Sequence, residues 1–223
     1  MTRPLIVTDC DEVLLHMVVP FRDWLDDVHG VHFDFRMQGF GDALRHKDSG
    51  QPVERALVWK LLVAFFDSEM HRQSPIAGAI EAMHRLAAIA DIVVLTNIGE
   101  EHAQGRVEQL ASHGLHVPVF WNRGGKGPQL ARIVAERSPG VTLFIDDIAE
   151  NHDSVAEHAP SVWRLHLVGE PEIAANVPPC PAAHARIDDW ALAERWIVER
   201  LAQGPAPVDP APIRSSQTDG APA

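Results

Sequence analysis

The spacing of five short apolar runs constrains this chain more than any other feature: PLIVT at 4–8, DIVVLT at 91–96, VPVFW at 117–121, VTLFID at 141–146 and SVWRLHLV at 161–168. Each is apolar on both sides of the pleat and rich in branched residues, which suits strands covered on both faces. Helical patterns lie between them. Ser74 and Pro75 read as an N-cap and first helical position, followed by Ile76, Ile80, Met83 and Leu86 on one face. Glu100 and Glu101 open a second helix, and Gly114 lies just past its end. Gln129–Arg137, Asn151–His158 and Trp190–Leu201 read as three more. Strands alternating with helices of this length predict an α/β fold, a doubly wound (Rossmann-like) parallel sheet.

One interval breaks the rhythm. Residues 17–74 hold no convincing strand, but they include FRDWLDDVHG and the strongly apolar ERALVWKLLVAFF. A small helical cap inserted after the first strand explains this better than a long loop. The expected organisation is a core of residues 1–16 and 75–203, a helical insertion of 17–74, and a proline-rich disordered tail of 204–223. Trp24, Phe33, Phe35, Phe40 and Trp59 are expected to form the insertion's own core.

Charge narrows the function. The 19 basic and 31 acidic residues give 19 − 31 = −12, a field that repels nucleic-acid backbones and anionic membranes. An anionic ligand must then be small and locally neutralised. Met-Thr-Arg-Pro leads straight into a strand without the regions of a signal peptide, and no apolar run is long enough to span a bilayer, so a cytoplasmic location is expected. Cys10 and Cys180, the only two cysteines, cannot make a disulfide framework. The histidines are scattered without zinc-ligand spacing.

The first strand ends in an unusual way. TDCDE places Asp9 and Asp11 two residues apart, where burial of an unpaired carboxylate would cost several kcal/mol. In an open parallel sheet, ligands bind at the carboxyl ends of the strands, beside the point where strand order reverses. Thr96 and Asn97 stand at that end of the second run, and Asp146 and Asp147 at that end of VTLFIDD. NRGGKGPQL sets Lys126 in a glycine-rich turn that opens a helix. Clustered carboxylates suit a hard cation such as Mg²⁺, which with Lys126 would neutralise a phosphoryl group. One aspartate is then free to attack phosphorus, and a second to exchange protons with the leaving oxygen and the hydrolytic water.

With DCDEVL, VVLTN, Lys126 and LFIDD in this order, residues 4 to about 200 resemble the haloacid dehalogenase superfamily, and residues 17–74 fall where that family inserts its C1 cap. The resemblance implies Asp9 as nucleophile and metal ligand, and Asp11 as general acid/base and a ligand through its backbone carbonyl. It implies Thr96, Asn97 and Lys126 as phosphoryl-binding residues. Asp147 would hold Mg²⁺ directly and Asp146 through water. Asp11 favours the phosphatases over the dehalogenases, which lack it; Glu12 departs from the glycine of many members.

The expected activity is hydrolysis of a small phosphorylated metabolite through an aspartyl phosphate. A phosphotransferase on the same residues and a catalytically silent ligand- or protein-binding domain remain alternatives. VVPFRDWLDDVHG and SPIAGAIEAMHRLA look similar to the cap edges of 5′(3′)-deoxyribonucleotidases, which points to a nucleotide. Within the insertion, Arg22, Trp24 and Arg36 are candidates to face the leaving group.

Overall fold

The computed structural model of the protein describes residues 2–34 and 43–208. The chain opens with β1 (Leu5–Thr8) and enters the insertion through α1 (Val18–Trp24), which continues into a π-helical turn, Leu25–His29. An antiparallel pair, β2 (Val31–Phe33) and β3 (Leu44–His46), precedes α2 (Arg55–Ser68). The core resumes with α3 (Ala79–Leu86), β4 (Asp91–Thr96), α4 (Ala103–Ser112), β5 (Val119–Trp121) and α5 (Gly127–Arg137). It closes with β6 (Thr142–Asp146), α6 (Ala149–His158), β7 (Trp163–His166), α7 (Pro171–Ala174), β8 (Ala185–Arg186) and α8 (Trp190–Gln203).

Six strands pair in parallel in the order β5-β4-β1-β6-β7-β8. The alternation in β1 shows why both faces had to be apolar. Ile6 packs with Ile92, Val94, Leu143 and Ile145 beneath α3 and α8, through Met83, Leu86 and Ile197. Leu5 and Val7 face the other way, onto Val93, Leu95 and Phe144 beneath Leu130 and Ile133 of α5 and Val155 of α6. The chain runs outward from β1 through β4 to β5, then returns to lay β6 on the other side of β1. The carboxyl end of β1 therefore sits at the reversal of strand order, where an open sheet leaves a crevice.

The insertion has a core of its own. Phe21 meets Phe65 edge-on at 5.4 Å, and Val18, Trp24, Leu25, Phe33, Leu44 and Val58 are among the residues that join them in the cluster. It is not wholly helical: β2 and β3 are three residues each, too short for a period of two to register in sequence. Trp59, expected in this cluster, is exposed, while Phe35 and Phe40 lie outside the described residues. The outgoing and returning chains run side by side, with His16 N donating to Ser74 O and Ile76 N to Leu14 O.

That ribbon corrects one expected helix start. Ser74 and Pro75 pair with the outgoing strand, so α3 begins only at Ala79, after Gly78 at φ 80°. The expected tail divides similarly. Ala206 is buried and its N–H donates to Ser161 O, while Trp163 Nε1 donates to Gly204 O; residues 209–223 lie outside the described part. Among the described residues no helix is long and apolar enough to cross a membrane.

Candidate active site

Four strand exits and helix starts meet at the reversal of strand order. Asp9 directly follows β1, Thr96 ends β4, Asp146 ends β6, and Lys126 stands at the start of α5. The Lys126 ammonium donates to Asp9 Oδ2 at 2.6 Å and to Asp146 Oδ2 at 2.7 Å, and none of the three is appreciably exposed. Asp9 Oδ1 accepts from Cys10 N at 2.7 Å. Asp146 Oδ1 accepts from Ile148 N and from Asn151 Nδ2, each at 2.9 Å, so that oxygen is filled, while Oδ2 accepts from Lys126 alone. Asp147 differs. No hydrogen bond reaches its carboxylate among the described residues, and one oxygen each of Asp9, Asp146 and Asp147 lie within 4.8 Å of one another.

The electrostatics are unbalanced: three carboxylates surround one ammonium. Burial pushes the Asp9 carboxyl up to about 7, against the lowering effect of Lys126 and with a further rise from Asp146. Burial likewise raises Asp147 well above the usual carboxylate range, reinforced by Asp146 and Asp9. Burial works against the Lys126 charge, yet Asp146 and Asp9 together hold its pKa above the ordinary value. A hard divalent cation bound by the three carboxylates would remove this excess, and Asp147, free of other partners, is the natural direct ligand. Thr96 Oγ1 is also buried and unpartnered, a hydroxyl with its donor unused beside the cluster.

Asp11 and Glu12 turn the chain out of the sheet. Glu12 takes φ 58°, the left-handed region that costs a side-chain-bearing residue about 1 kcal/mol or more. Its buried carboxylate offsets this by accepting from Met17 N at 2.8 Å and Val18 N at 2.6 Å, at the entrance of α1. Burial raises its carboxyl to about 7. Asp11 accepts from Gln73 Nε2 at 2.7 Å and from Arg106 through both oxygens, at 2.9 and 3.0 Å.

Several of these partners left no trace in sequence. Arg106 and Gln73 lie 95 and 62 residues from Asp11, so no local spacing announces them. His152 Nε2 donates to Asp146 O at 3.0 Å, and His166 Nε2 donates to Asp147 O at 2.8 Å. Burial pushes His152 down to about 4 and lowers His166 too, so both rings are neutral donors gripping the backbone beneath the two aspartates.

Of the remaining expected residues, Asn97 is exposed and its amide is spent on Gly124 O and Asn122 Nδ2. That braces the loop before Lys126 rather than reaching Asp9. Arg22 bridges to Glu172 at 2.6 Å, fastening the insertion to α7. Trp24 is buried in the insertion's core, within 5.7 Å of Phe65, and does not face the crevice. Arg36 lies outside the described residues.

The fold has counterparts among solved structures. A haloacid dehalogenase-like hydrolase from Streptococcus pneumoniae superimposes with a TM-score of 0.62 at 10% identity, over 88% of this chain and 98% of its own. A predicted phosphoglycolate phosphatase from Haemophilus somnus gives 0.61 at 14% identity, over 86% and 97%. The HAD-hydrolase YfnB from Bacillus subtilis, solved bound to magnesium, gives 0.57 at 14% identity, over 89% and 99%. The chain has the fold of the haloacid dehalogenase-like hydrolases. No family model and no curated protein sequence matches it.

Proposed function

We propose that the chain is a Mg²⁺-dependent phosphomonoester hydrolase acting through an aspartyl phosphate on Asp9. The observation that carries this reading is the convergence of Asp9, Lys126, Asp146 and Asp147 around one point, with the Thr96 hydroxyl buried and unpartnered beside them. Asp9, Asp146 and Asp147 would hold the cation, which would supply positive charge to the phosphoryl oxygens. Lys126 and Thr96 orient the phosphoryl group, and Asp9 attacks phosphorus. Asp11, two residues on, protonates the departing oxygen and then takes a proton from the water that cleaves the acyl phosphate. The insertion serves as a cap over this site. The net charge of −12 favours a small phosphorylated substrate over a polymer, because only the local cluster neutralises an anion.

Attack of the same aspartate on a carbon–halogen bond is the competing reading, since the first of these neighbours is described as haloacid dehalogenase-like. Asp11 and the unpartnered Asp147 weigh against it, because a departing halide needs neither a proton donor nor a cation. The test is release of phosphate from a panel of phosphomonoesters and of halide from 2-haloacids, with and without Mg²⁺. Metal-dependent phosphate release supports the proposal; halide release alone overturns it.

Metal removal should also be visible in stability. The folded pKa values of Asp9 and Glu12, about 7, exceed their ordinary 3.8 and 4.5. Their contribution is therefore fully present below about pH 4 and lost as pH rises through about 7. In excess chelator the melting temperature should fall between about pH 5 and pH 8. Mg²⁺ at a hundredfold over its Kd should restore about 2.7 kcal/mol at the upper end. A melting temperature indifferent to Mg²⁺ at pH 8 would contradict the cation site.

A further inference from the structure

The fully buried Arg106 of α4 points its guanidinium at the Asp11 carboxylate instead of at solvent. One terminal nitrogen donates to both Asp11 oxygens, at 2.9 and 3.0 Å; the other donates to Gln109 Oε1 at 2.8 Å and Gln73 Oε1 at 3.1 Å. The guanidinium carbon sits 5.6 Å from the centre of the Phe66 ring. Gln73, where the chain returns from the insertion, gives its amide to Asp11 Oδ1 at 2.7 Å and to His16 O at 3.3 Å. Asp11 is thus held from two sides, by a core helix and by the insertion's return crossing.

A carboxylate offers about four lone-pair directions. Here Oδ1 accepts from Gln73 and Arg106 and is filled; Oδ2 accepts from Arg106 alone. One acceptor direction remains, and it is on Oδ2. We infer that Arg106, with Gln73, is a positioning residue for proton transfer: the pair fixes the Asp11 side chain and assigns Oδ2 as the oxygen that carries the proton to and from the reacting groups. Lys126 holds Asp9 through a separate set of contacts, so loss of Arg106 spares the nucleophile's own support. The ion pair therefore acts on leaving-group protonation rather than on phosphoryl binding. Because Gln73 belongs to the return crossing, the same contacts tie the orientation of the acid/base to the seating of the insertion.

This inference rests on the phosphatase reading, and the experiment separates the two. Wild type, Arg106→Gln and Gln73→Met are assayed with Mg²⁺ on p-nitrophenyl phosphate, whose leaving group departs without a proton, and on ethyl phosphate, whose leaving group needs one. Arg106→Gln should lose on the order of 10²-fold in kcat on ethyl phosphate and less than about tenfold on p-nitrophenyl phosphate, with KM little changed on either. Gln73→Met, which keeps the ion pair, should show the same imbalance at smaller size and carries the test if Arg106→Gln does not fold. Equal losses on the two substrates in every folded variant would overturn the inference while leaving the phosphatase reading intact. Failure of wild type to release phosphate from either substrate would overturn both.

Discussion

Asp9→Asn should give a folded protein with no measurable turnover, a loss of roughly 10⁴-fold or more, because the proposed covalent route begins at this carboxylate. An amide neither attacks phosphorus nor brings the cation a charge. The fold should tolerate the change. Asp9 is a buried carboxyl pushed up to about 7, and its ionisation costs the folded state at higher pH. Asparagine removes that cost, and Lys126 keeps its 2.7 Å contact with Asp146. In chelator at pH 8 the variant should therefore melt no lower than wild type, while gaining less from Mg²⁺. This opposition separates a catalytic role from a structural one. A folded Asp9→Asn protein with near-normal kcat would remove Asp9 from the mechanism.

The strand ends were legible because a parallel sheet buried on both faces writes itself as continuous apolar runs, and a carboxylate ending such a run is conspicuous. Asp9, Asp146 and Asp147 announced themselves in that way; Lys126 was visible through the glycines around it. The contacts that organise the site were not legible. Arg106 looks like any cation on an amphipathic helix, and only the three-dimensional return of α4 under the insertion turns it toward Asp11. Glu12 carries no local sign that it caps α1, since the N–H groups it accepts from lie five and six residues on. The insertion was the hardest part. Its strands are too short for periodicity, and a tryptophan such as Trp24 reads the same whether it lines a ligand crevice or, as here, fills an apolar core. Ser74-Pro75 misled for the opposite reason: the pair is a good helix start, but tertiary pairing with His16 and Leu15 claimed it first.

Lys126→Met should be the most destabilising single change in the site, costing about 3–5 kcal/mol at pH 8 without metal. The ammonium is wholly buried between Asp9 and Asp146, at 2.6 and 2.7 Å, and it is the cation nearest three carboxylates. Methionine has a similar length and no charge, so the cavity stays filled while the compensating charge is lost. The loss is large against a total stability of about 5–15 kcal/mol, and its pH dependence identifies its origin. As pH falls through about 7, Asp9 takes up a proton and the deficit should shrink; an apolar packing defect would persist at every pH. Mg²⁺ should recover part of the stability by supplying charge to the same carboxylates. It should not recover the rate, since the contact that steadies Asp9 in the proposed attack is gone. Melting curves of wild type and Lys126→Met at pH 5 and pH 8, in chelator and in Mg²⁺, read all of these terms. Equal melting temperatures of the two proteins at pH 8 in chelator would show that Lys126 does not offset the buried carboxylates, and the electrostatic account of the site would fail with it.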